Sequence, residues 1–159
     1  MESPVPDDWT SQLATIVAAT IREFAPRLGD LPVTMLAVDC HPWHGSVELA
    51  VLTADEATKD TMLADPSEMA AWRHFGFSEG LASWRAAAPL GRSMKAAYEA
   101  ADDRRAAAEA FLRACAFAVA APEVAAAIGS LVRAADFRIS VAHPDDGRDF
   151  FPQAARPDS

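Results

Sequence analysis

Six consecutive residues, Asp39-Cys40-His41-Pro42-Trp43-His44, hold the densest supply of reactive side chains in the chain. Carboxylate, thiolate and imidazole are the ligands that divalent transition metals prefer. His41 and His44 stand three apart. On a helix that spacing puts two rings on one face, whereas a hairpin loop imposes no such geometry. A second group, His143-Pro144-Asp145-Asp146-Gly147, follows the last predicted strand. His41, His44 and His143 are thus the candidate metal ligands. Asp39 or Asp145 is the candidate base for metal-activated water or for general acid–base work. Both groups also read as plain turns, in which Pro42 fixes φ, Gly45 relieves strain and Trp43 lies over a sheet edge.

Which reading holds depends on topology. Asp39 ends the first predicted strand and His143 follows the last. Parallel, neighbouring strands would bring both loops to one sheet edge, where Asp39, Cys40, His41, His44, His143, Asp145 and Asp146 converge. Antiparallel strands would send them to opposite edges and dissolve the cluster.

The elements that position these loops are legible from periodicity. Trp9, Leu13, Ile16, Val17, Thr20, Ile21, Phe24 and Leu28 recur at helical spacing, with Asp7 or Asp8 to cap the start and Pro26 with Gly29 to end it. Val33–Asp39 and Ser46–Thr53 are apolar and β-branched, and the Pro- and Gly-bearing connector predicts an antiparallel hairpin. Asp55–Leu63 reads as a short helix. Asp65-Pro66-Ser67-Glu68 is a helix start, with a capping acid and Pro at the first helical position, for a helix carrying Met69 and Trp72. Met94 to Val119 is helical, broken at Asp102-Asp103-Arg104-Arg105, which reads as a solvated turn or an interhelical joint. Pro122 opens another helix running to Val132, and residues 137–142 alternate as a last strand. Phe150 and Phe151 are expected to dock back, and the chain is expected to fray from Gln153. The fold class is α+β: a small mixed or antiparallel sheet, hairpin 33–53 plus strand 137–142, covered by an alanine-rich helical layer. A chain of 159 residues with 51% apolar content suits one domain over residues 1–159.

Charge narrows the partners. Fourteen Lys and Arg against 23 Asp and Glu leave a net charge of −9. Such a surface is repelled by phosphate backbones and anionic lipid, which argues against nucleic acid and membranes and favours a basic protein partner. Arg104-Arg105 is the only adjacent pair of basic residues. Two cysteines build no secreted disulfide framework, and Met1 to Asp8 reads without the charged and apolar segments of a signal peptide, so the expectation is a cytoplasmic chain. No Gly-rich phosphate loop or Gly-x-Ser-x-Gly elbow occurs.

Trp72, His74, Phe75, Phe77 and Trp84 concentrate aromatic mass that reads either as core or as interface anchors. The candidate binding surface is therefore Asp39, His41, Trp43, His44, Trp72, His74, His143 and Asp145. Over Leu31 to Trp84, the order of helix, strand, Trp43-His44-Gly45 hairpin and strand, followed by Met69-Ala70-Ala71-Trp72-Arg73-His74-Phe75, resembles poorly characterised bacterial α+β domains. Some of these are similar to immunity proteins of polymorphic toxin systems. The resemblance implies a non-enzymatic binding role and carries no catalytic residue across. The leading expectation is a cytoplasmic bacterial binding domain, immunity- or regulation-like, for a basic partner; the cofactor is left open between none and a divalent metal. Its alternatives are a hydrolase assisted by a divalent metal at the His/Asp cluster, and a small-molecule sensor with a pocket between helices and sheet.

Overall fold

The helix α1, Trp9–Leu28, forms where the sequence predicts it and buries Trp9, Leu13, Val17, Ile21, Phe24 and Leu28 along one stripe. It runs through Pro26 and stops at Gly29, whose φ of +56° suits a residue without Cβ. The computed structural model describes residues 3–154; of the tail expected to fray from Gln153, Gln153 and Ala154 close a short helix, Phe151–Ala154, and the remainder falls outside the described residues.

Two strands follow: β1, Val33–His41, and β2, Ser46–Thr53, paired antiparallel with Asp39 opposite Glu48 and His41 opposite Ser46. After β2 the chain makes a short helix, α2, Ala54–Lys59, and two 3₁₀ turns, Thr61–Ala64 and Pro66–Ala71. Asp65 caps the second turn as expected, its side chain accepting from the Ser67 N–H at 2.9 Å. The α-helix predicted there is absent. The segment ends after six residues because Trp72 turns inward and donates its Nε1–H to the Leu63 carbonyl at 2.8 Å.

A third 3₁₀ turn, Ala82–Ala87, leads into α3, Ala88–Ala100; then come α4, Arg104–Val119, and α5, Pro122–Ile128. Asp102 and Asp103 fall in the break between α3 and α4, whereas Arg104 and Arg105 already belong to α4; Asp103 caps that helix by accepting from the Ala106 N–H at 3.0 Å. No single helix among the described residues is long and apolar enough to cross a membrane.

The last strand, β3, spans Arg133–Ser140, earlier than the predicted 137–142, and the preceding helix stops at Ile128, short of Val132. Side-chain pattern misleads here because β3 is an edge strand with half of its eight side chains exposed and only Ser140 buried. Its main-chain bonds to β1, beginning at the Val33–Arg133 pair, set its bounds. The order is β2-β1-β3, with β1 and β3 parallel, so the α+β fold has a mixed sheet.

The two sheet faces are covered unequally. Leu36, Val38 and Cys40 of β1, with Val47, Leu49 and Val51 of β2, face the main core with α1, α3, α4 and α5. Met35, Ala37, Ala50 and Leu52 face the other way, onto Trp72, Leu63, Ala64 and Met69. Strand alternation puts Asp39 and His41 on this second face. They lie past the last apolar pair, where the 3₁₀ cover gives way to a cleft.

Candidate functional site

Parallel pairing of β1 and β3 satisfies the condition on which convergence depends. Both strands deliver their carboxyl ends to one edge, the customary place for ligand crevices in open sheets. The same dipeptide recurs near both strand ends: His41-Pro42, where His41 closes β1, and His143-Pro144, three residues past the end of β3. The Trp43 and His143 rings lie 6.3 Å apart, centroid to centroid. The second loop is firmly held. Asp149 accepts from the Ser140 hydroxyl at 2.6 Å and from the Val141 N–H at 3.0 Å. Arg148 donates to Glu109 of α4 at 2.8 Å, and Phe150 docks in the core as expected.

Two clefts flank the turn at His143–Asp146. The first, of about 490 Å³, is acidic: Asp39, Asp65, Asp145 and Asp146 line it with His41, Met69 and Phe75. No Lys or Arg is among its described lining residues. Phe75 is 41% exposed and adds an apolar ring to the cleft lining. Asp39 Oδ1 lies 2.8 Å from His41 Nε2. That hydrogen bond raises the His41 pKa above the ordinary 6.5; burial opposes the rise, and the charges of Asp39 and Asp145 add to it. Burial raises the Glu48 carboxyl, directly across the ladder from Asp39.

A pH prediction follows from the His41 shift. A histidine whose pKa is raised by folding adds stability that is fully present below its unfolded pKa and disappears as pH rises through the folded value. The stability advantage of wild type over Asp39→Asn is therefore expected to be largest in mildly acidic buffer. It should shrink as the pH passes above 6.5. Denaturant melts at a series of pH values check this; parallel profiles for the two proteins would refute the pairing.

The second cleft, of about 580 Å³, is aromatic and of mixed charge. Trp43 and Tyr98 form walls 6.3 Å apart between ring centroids, and Arg104, Arg105, His143, Asp145 and Asp146 complete it. His143 is only 8% exposed. Its Nδ1 accepts from the Asp145 backbone N–H at 3.1 Å, so in the neutral ring the proton sits on Nε2. The hydrogen bond from the Arg148 backbone is the largest cause of the lowered Asp146 pKa.

Other predicted positions fall elsewhere. His44 is exposed on the hairpin turn, its ring centroid 6.0 Å from that of His41. Trp72 is not part of any surface, because it is buried beneath the second face. His74 pairs with Val51 at the outer edge of β2 and packs edge-on against Phe24 at 5.5 Å, lining neither cleft. Its Nε2 is buried without a partner among the described residues, and burial lowers its pKa. Cys40 points into the main core beside Met94, and its thiol is held protonated by Cys115 and by burial. Among the described residues, no group of three His, Cys, Asp or Glu side chains is placed to hold a metal. His41, His44 and His143 therefore share an edge without forming a ligand set. Bound to Asp39 through Nε2, His41 has no hydroxyl or thiol hydrogen-bonded to its other nitrogen among the described residues.

Asp65, Met69, Tyr98, Arg104 and Arg105 complete the clefts but were not among the candidate residues. One sequence signal points toward part of this set: Arg104 and Arg105 form the lone Arg-Arg pair of an acidic chain. No protein-family model matches the chain, and comparisons with curated proteins and solved structures find no significant match.

Proposed function

We propose that this chain is a non-enzymatic binding domain whose acidic cleft receives a basic segment of a partner protein. The observation that carries the reading is the union, in one cleft, of four carboxylates with the apolar Met69 and the exposed Phe75. Carboxylates steer a cationic segment to the cleft, and an apolar platform beneath holds the stems of its Lys or Arg side chains. The net charge of −9 extends the attraction beyond the cleft. In this reading the protein works in the bacterial cytoplasm, and an immunity- or regulation-like role, occupying a basic partner, is its most concrete form.

Titration with labelled peptides tests it. Arg-rich peptides carrying an apolar residue are expected to bind, with affinity falling as salt rises, and Glu-rich peptides are not. Asp65→Asn combined with Phe75→Ser should weaken binding about tenfold or more, since a charge and an anchor are both removed. Asn retains the capping function of Asp65. The pair Glu123→Gln and Asp136→Asn, on other surfaces, changes net charge by more yet should leave binding nearly intact. Equal losses in the two double variants would reduce the cleft to a share of bulk charge and defeat the proposal.

A further inference from the structure

The second cleft contains one cation and one anion that the fold leaves unmatched. Among the described residues Arg104 meets no carboxylate: its Nη2 donates to the Glu99 carbonyl at 3.2 Å, and its guanidinium lies 5.7 Å from the Tyr98 ring centroid. Arg105 reaches Glu109 only at 3.6 Å, and Arg148 is taken by the same Glu109 at 2.8 Å. On the facing loop, the Asp145 carboxylate makes no hydrogen bond or ion pair among the described residues; only its backbone N–H is used, on His143. His143 is nine-tenths buried, its Nδ1 is occupied, and its Nε2 has no partner among the described residues. That nitrogen is not sealed in the interior as His74 Nε2 is, and the ring lines the cleft.

Trp43 separates itself from the other tryptophans in the same way. Trp9, Trp72 and Trp84 each donate Nε1–H to a distant backbone carbonyl, those of Leu90, Leu63 and Val47. Trp43 makes no such bond among the described residues and is only half-buried, with its ring on the cleft opposite Tyr98.

We propose that this cleft binds a zwitterion with an aromatic body, an aromatic α-amino acid. The cleft volume of about 580 Å³ is in the range of small-molecule sites. Arg104 and the Nε2–H of His143 take the carboxylate, at the amino end of α4 where the helix dipole also favours negative charge. Asp145 takes the ammonium, and the aromatic ring lies against Trp43 and Tyr98. The balance of charge selects the class. Arg104, Arg105 and Arg148 are offset by Glu109, Asp145 and Asp146, so a polyphosphate gains little here, while a ligand with both charges satisfies both walls. This site shares the His143–Asp146 turn, Asp145 included, with the acidic cleft, but its titration with amino acids reads out without any partner protein.

L-Phenylalanine, L-tyrosine and L-tryptophan are the probes, followed by calorimetry on the wild-type chain. L-Phenylalanine should also alter tryptophan emission, and that change should be lost in Trp43→Phe. Phenylethylamine, which lacks the carboxylate, and 3-phenylpropionate, which lacks the ammonium, should each bind about tenfold or more weakly than L-phenylalanine. L-Alanine, which lacks the ring, should fail as well. Arg104→Gln is expected to erase the preference over phenylethylamine, and Asp145→Asn the preference over 3-phenylpropionate. Both residues are exposed, so the fold should survive either change. No binding by any of the three amino acids would overturn the proposal. So would 3-phenylpropionate binding as tightly as L-phenylalanine, or unchanged discrimination in both variants.

Discussion

Trp9→Ala is expected to cost about 3–5 kcal/mol, the range for deleting a fully buried aromatic side chain. For a chain of this size that lowers the melting temperature by roughly 6–20 °C. Trp9 is 1% exposed and opens α1. Its ring meets Phe111 of α4 edge to face at 5.1 Å, and its Nε1–H donates to the Leu90 carbonyl of α3 at 3.0 Å. One side chain thus joins three helices. Removing it leaves a cavity in the core, into which the surrounding structure relaxes only in part. Trp9→Phe separates the two contributions: it keeps most of the apolar contact but removes the donor. Its cost should be clearly smaller, about 1–3 kcal/mol, with the Leu90 carbonyl losing a buried partner. Calorimetric melts of the three proteins decide the matter. If the Phe variant melts with the Ala variant, the hydrogen bond rather than the packing carries the stability; if neither shifts, Trp9 does not anchor the core.

Those tryptophans also mark the boundary of what the sequence made legible. Trp9 falls on a clean helical stripe, and its burial follows from spacing alone. Trp72 follows a capping signal that is correct, yet its aromatic neighbourhood points to a binding surface while the side chain is buried. Its true role depends on a carbonyl nine residues back and on a sheet face whose cover consists of 3₁₀ turns, which leave no strong periodicity. The β1–β2 hairpin was plain from two apolar runs around a Pro- and Gly-bearing turn. The bounds of β3 were not, because an exposed edge strand is held by main-chain bonds that impose little side-chain pattern. Convergence of the His41 and His143 loops could be stated only as a condition on strand direction. Parallel pairing meets it, but the convergence builds two clefts rather than a metal cluster, since His44 points to solvent and Cys40 to the core. The walls that complete the clefts come from α3, α4 and the 3₁₀ segment, whose placement across the sheet no local spacing encodes.

Gly91→Ala is expected to destabilise the protein, against the usual direction for a helical glycine. In a free helix the change adds about 1 kcal/mol of stability, because alanine loses less backbone freedom on folding. Here a Cβ on Gly91 would lie 2.2 Å from the Gly45 carbonyl oxygen. The contact is reciprocal: a Cβ on Gly45 would lie 2.7 Å from the Gly91 carbonyl oxygen, and Gly45 also has a φ of +68°. The hairpin turn and α3 therefore touch backbone to backbone, and neither atom is the movable end of a side chain. Overpacking of this kind costs about 1–3 kcal/mol, which outweighs the propensity gain. The way the strain is relieved matters for function. The turn that carries Trp43 has to move away from the helix that carries Tyr98, so the two aromatic walls of the second cleft part. Gly91→Ala should lower the melting temperature and weaken L-phenylalanine binding together, although Gly91 does not line that cleft. A raised melting temperature would show that the turn yields freely and that the glycine pair does not hold the cleft in shape.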